Sequence, residues 1–107
     1  MNNVILIEPT RHELDVSSAS EHGRLVYLFQ GKKPPVRSPK FLERCDERLS
    51  EIGFSPSRDS LVLAGSTPAL VKLLCHLTAL YGSVITLAYD PPTDKYAPME
   101  VGRVTTC

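Results

Sequence analysis

The residues best placed to do chemistry are Gly65, Ser66 and Thr67, in the run Leu63-Ala64-Gly65-Ser66-Thr67-Pro68. A glycine leaves an apolar stretch, two hydroxyls follow, and a proline opens a helical pattern. The first amides of a helix lack intrahelical partners and carry partial positive charge, so such a junction suits a phosphate or a carboxylate. Ser66 and Thr67 would add hydroxyl donors. No lysine follows, so this is not a P-loop, and the three-glycine dinucleotide fingerprint is absent. The competing reading is a tight turn with Thr67 as the helix cap.

Other candidates surround this junction. Lys32 and Lys33 stand in a stretch, 32–40, with four positive charges and no negative ones. They would either meet a phosphorylated ligand or form a solvated loop. Arg11 and His12 follow the first strand pattern and would reach the same pocket, or lie on the surface. Asp90 ends a strand pattern. It would bond a ribose hydroxyl, hold a metal, or open the turn before Pro91. His76 shares a stripe with Lys72 in the middle of an apolar helix, where a histidine commonly packs or lines an interface. No His, Cys and carboxylate cluster has metal-ligand spacing, and no serine or cysteine sits in a nucleophile elbow. No catalytic residue, metal or cofactor is therefore assigned.

The elements that must hold these residues follow from periodicity. Val4–Ile7, Leu25–Phe29, Ser60–Ala64 and Val84–Tyr89 are short, continuous, apolar runs, the mark of buried strands. Residues 11–16 would extend or pair with the first of them, and Ser17–His22 carries a helical turn stopped by Gly23. Ser38-Pro39 opens an amphipathic helix with Phe41, Cys45, Leu49 and Ile52 on one face; Gly53 stops it and Phe54 folds back on it. A second helix, Pro68–Tyr81, stops at Gly82. It is apolar on nearly every side, which predicts burial against more than one layer, the extra one being another subunit. Cys45 and Cys75 read as core residues of these helices. Strands joined through helices make parallel pairs. The expected fold is a small Rossmann-like α/β sheet of four to five strands, in two or three layers and mostly parallel. An antiparallel edge strand, Tyr96–Val104, closes it. Ligands of such sheets bind at the carboxyl ends of the strands. There the loops Glu8–His12, Gln30–Lys33, Gly65–Pro68 and Asp90–Asp94 would gather.

Composition narrows the function classes. The 107 residues make one α/β domain, 1–107, with 42% hydrophobic residues, no tryptophan and a net charge of zero. Zero net charge argues against bulk attraction to long nucleic acid or anionic lipid. The longest apolar run, Ala69 to Tyr81, is broken by Lys72 and His76, short of the roughly 20 residues of a membrane span. No basic segment precedes the first apolar run, so no secretory signal is expected, and the three cysteines have neither redox nor zinc spacing. A cytoplasmic protein is the expectation.

From Leu61 to Pro91 the chain resembles the small CRISPR-associated ring nucleases of the Rossmann-like type. The shared features are Gly65-x-x-Pro68, a long apolar helix with Cys75-His76, and Tyr89-Asp90-Pro91. The resemblance implies binding of a cyclic oligoadenylate between subunits, with Ser66 and Thr67 on phosphate and Asp90 at the site. Some members cleave that ligand with a divalent metal. The basic residue and extra histidines of that family are missing here; Pro92 and Thr93 follow the Asp-Pro pair. The whole chain also resembles small bacteriophage proteins, in Asp15–Ala19, Ile52-Gly53-Phe54 and Tyr96-x-Pro98. The resulting expectation is a small homo-oligomer that binds or sequesters a phosphorylated nucleotide, such as a cyclic oligonucleotide of phage–host immunity, without catalysis. The alternatives are a ligand-free interaction module using helix 68–81 and a ring nuclease.

Overall fold

The computed structural model describes residues 2–7, 17–29 and 35–102. Five strands form one sheet: β1 (Asn3–Leu6), β2 (Arg24–Tyr27), β3 (Ser60–Val62), β4 (Ser83–Asp90) and β5 (Lys95–Gly102). Two α-helices connect them, α1 (Phe41–Ile52) after β2 and α2 (Thr67–Tyr81) after β3, and a 3₁₀ helix, Ser17–His22, lies between β1 and β2. The strand order is β2-β1-β3-β4-β5. The first four strands are parallel, and β5 returns antiparallel along β4.

Each sheet face buries its own set of alternate residues, as the period-two pleat requires. On one face Ile5, Leu61 and Val84 meet Phe41, Cys45 and Leu49 of α1 and Ala69, Leu73 and Leu77 of α2. On the other, Val4, Leu6, Val62 and Leu87 meet Tyr96 and Ala19 of the 3₁₀ helix. The connection from β1 to β2 runs toward one edge and the later crossovers run toward the other. Connections of one hand then place the 3₁₀ helix and the α-helices on opposite faces.

Several details differ from the sequence expectation. α1 begins at Phe41, because Ser38 closes a turn first: its hydroxyl accepts from the Lys40 amide and its carbonyl from the Phe41 amide. Ser66, not Thr67, caps α2; its extended backbone lets the hydroxyl accept from the Ala69 amide at 3.4 Å, and Thr67 becomes the first helical residue. β3 ends at Val62, although the Leu63 amide still donates to Leu87. α2 does not bury its whole circumference within the described residues. Only the Ala69, Leu73, Leu77 stripe is fully buried, while Val71 (55%), Leu80 (57%) and Tyr81 (47%) stay open. Cys75 is exposed rather than core, because it lies two residues past Leu73, on the far side of the helix. The end of α1 is as expected. Gly53 is left-handed at φ 68°, and the Phe54 amide reaches back to the Leu49 carbonyl. Residues 11–16 and the loop 30–34 lie outside the described residues.

Candidate functional site

All four parallel strands present their carboxyl ends at one edge of the sheet. β1 and β3 are neighbours there; the 3₁₀ helix that follows β1 packs on one face of the sheet and α2, which follows β3, on the other. A crevice between diverging connections is where open α/β sheets take ligands. The chain leaving β3 enters this edge through Gly65, whose φ of 103° favours a residue without a side chain. Gly65, Thr67 and Pro68 are exposed and Ser66 is half-buried. The Ser66 hydroxyl serves the Ala69 amide and the Leu70 amide serves the Ser66 carbonyl. One end amide of α2 is thus already served by the cap, and the helix start still faces solvent at Thr67.

Asp90 ends β4 at the same edge, three residues past the Val62–Leu87 pair, as Gly65 does on β3. Its carboxylate accepts from the Thr93 hydroxyl at 2.8 Å, and its carbonyl accepts from the Thr93 amide at 3.2 Å. Asp90 therefore organises the hairpin turn from within. At the same tip the Tyr89 hydroxyl donates to Asp94. That bond, with lesser help from burial and the nearby carboxylates, holds the phenol above its ordinary pKa. Two carboxylates make the tip a place for hydroxyl groups rather than for phosphate. Lys32, Lys33, Arg11 and His12 lie outside the described residues, so of the eight candidates Gly65, Ser66, Thr67 and Asp90 are placed.

A groove opens beside the start of α2. Its cavity measures about 500 Å³ and is lined by Pro39, Leu42, Val71, Lys72, Cys75 and His76, among others. That volume falls within the range of roughly 300–1,000 Å³ usual for small-molecule sites. Thr67, Val71 and Cys75 follow one another at four-residue steps, so the groove begins one turn below the exposed helix start. Its polar wall is the Lys72 and His76 stripe. The Lys72 ammonium donates to the Val36 carbonyl at 2.6 Å. His76 Nε2 lies 2.9 Å from Asp46 on α1. Cys75 opens into this groove, whereas burial, with Asp46 adding to it, pushes the Cys45 thiol up to about 12. The sequence did not mark the groove, because its α1 wall comes from residues some 30 positions away. The signal was present: two polar residues four apart on an apolar helix show where a polar flank of another helix must come. Among the described residues no group of three His, Cys, Asp or Glu side chains is placed to hold a metal ion. None of the helices in the described residues is long and apolar enough to cross a membrane.

No curated protein and no solved structure matches this chain. Residues 7–103 of the 107 do match one family, described as phage Pam3 gp32-like protein. The match takes in every strand from β2 to β5, both helices and the whole candidate site. The chain belongs to the phage Pam3 gp32-like protein family.

Proposed function

We propose that this protein binds a phosphorylated nucleotide at the carboxyl edge of its sheet and does not cleave it. One observation carries the reading: the exposed start of α2 and the apolar groove share the Thr67–Val71–Cys75 stripe. A phosphate would sit on the amides and hydroxyl at Thr67, and a base would lie one turn below, against Val71, Leu42 and Pro39. Asp90 is suited to accept from a sugar hydroxyl once Thr93 yields it. Lys32, Lys33, Arg11 and His12 enter on their charge and place in the sequence alone. Membership of a phage family lends weight to a ligand of phage–host immunity, such as a cyclic oligonucleotide sequestered from the host. It lends none to the ring-nuclease reading.

The test is a melting-temperature panel of cyclic di-, tri- and tetranucleotides. A ligand that binds only the native state adds about 2.7 kcal/mol of stability at 100 times its dissociation constant. Thr67→Glu is the telling variant. A carboxylate in the first turn of α2 favours the helix by about 0.3–1 kcal/mol while occupying the phosphate position. The variant is expected to melt no lower than the parent yet to lose the ligand shift. No shift with any nucleotide contradicts the proposal.

A second reading has its own observation. Val71 on the outer side of α2, and Leu80 and Tyr81 separately at its C-terminal end, stay about half exposed, apolar side chains that a protein partner would cover. A panel without shifts, together with capture of a defined partner that Val71→Glu abolishes, favours it.

A further inference from the structure

The two edges of the sheet are unequal. Along β5, the residues whose backbone groups point away from β4 are Tyr96, Pro98, Glu100 and Gly102. This follows from the register and from the Leu87 carbonyl facing β3. Pro98 has no amide to offer, and His22 Nε2 lies 3.2 Å from the Tyr96 carbonyl. Pro98, which has no counterpart along β2, is what blocks this edge against strand addition.

β2 forms the other edge. The Arg24 and Leu28 amides donate to β1, so by alternation the backbone groups of Leu25 and Tyr27 point outward. Among the described residues no strand lies beyond them. Arg48 donates to the Tyr27 carbonyl at 3.2 Å, which leaves that oxygen a second lone pair. A groove of about 480 Å³ runs along this edge, between β2 and the Arg48–Ile52 flank of α1. On the opposite sheet face the half-buried Leu25 and Tyr27 side chains pack beside the second core.

We propose that this edge receives a second copy of the chain, β2 against β2 in antiparallel register about a two-fold axis at Val26. Leu25 of each copy then faces Tyr27 of the other, which forms four backbone hydrogen bonds and two aliphatic–aromatic cross-strand pairs. The helix flank selects this partner. Arg44, Arg48 and Glu51 lie on one side of α1, positive toward its start and negative toward its end, with Arg48 and Glu51 paired at 3.2 Å within the chain. Antiparallel pairing reverses this order across the axis, so each Glu51, held by its own Arg48, turns toward the arginines of the other copy and the flank is complementary to itself, as an isologous contact requires. The product is one ten-stranded sheet with a blocked β5 at each end. The carboxyl edges of the two copies point in opposite directions, so each copy holds its own nucleotide site and no ligand is shared.

Sedimentation equilibrium of the full chain over roughly 10 to 300 µM is the test. A species of twice 11.8 kDa is expected. Glu51→Arg, on an exposed side chain, is expected to weaken the dimer at least about tenfold, and adding Arg44→Glu to restore it. Leu25→Pro removes an outward amide, together with the packing of the Leu25 side chain, and is expected to abolish dimerisation; if it fails to fold, the charge pair decides alone. A monomer throughout the range overturns the proposal. So does a dimer that ignores Glu51→Arg and is lost instead on Val71→Glu.

Discussion

Asp59 keeps only 1% of its surface exposed, where a bare carboxylate would cost several kcal/mol. Burial alone would raise its pKa. The Arg58 guanidinium at 3.1 Å, the Asn3 amide at 2.8 Å, the Ser55 amide at 2.9 Å and the Asn3 side chain outweigh that and hold it below the ordinary carboxylate value. This network ties the start of β1 to the turn before β3, at the edge opposite the candidate site. Asp59→Ala strands those donors and is expected to cost about 2–4 kcal/mol in urea unfolding at pH 7. The sign of the pH dependence follows from the lowered folded pKa. The unfolded chain takes up its proton first, so the contribution is whole above about pH 4 and drains away as the pH falls further. The gap between parent and variant should hold from pH 7 to 5 and narrow toward pH 3. An unchanged gap at pH 3 would show that the carboxylate's charge is not what matters. Sequence reading passed over Asp59, since a carboxylate in a polar turn looks solvated until Asn3, 56 residues away, is seen to donate to it.

At the scale of elements, periodicity located β1 to β4 and both α-helices, because each is a run with one apolar face or none polar, whereas the 3₁₀ helix was legible only from its Gly23 stop. End chemistry was legible where a single residue type decides it. Gly53 is the case: its φ is 68° and a Cβ there would meet nothing within 4 Å. Gly53→Ala should therefore cost only the left-handed backbone penalty, about 1–2 kcal/mol. An unchanged denaturant slope would confirm that no packing is lost, and a cost near zero would mean that α1 does not depend on this stop. Of two neighbouring hydroxyls the sequence reading chose Thr67 as the α2 cap, one residue late, and the structure gives that role to Ser66 through its extended backbone. The exposed side of α2 was not legible at all. Apolar composition gives the mean hydropathy of a helix but not which stripe the sheet takes, and the sheet takes only Ala69, Leu73 and Leu77.

At the scale of the molecule, the strand order sets what the residues can do together. β1 beside β3 sets the switch point at which such sheets take ligands, the crossover after β3 brings the α2 start to that edge, and α1 supplies the second wall of the groove. The sequence suggested the edge but not the groove, because packing α1 beside α2 depends on both crossovers taking the same sheet face. Occupation of that edge is best followed by amide resonances during titration with the nucleotide that shifts the melting temperature. Shifts are expected to centre on Gly65, Ser66, Thr67 and Ala69, extend down the stripe to Val71 and Cys75, and vanish in Thr67→Glu. Shifts that leave these residues untouched, or that persist in Thr67→Glu, would contradict a phosphate seat at the start of α2.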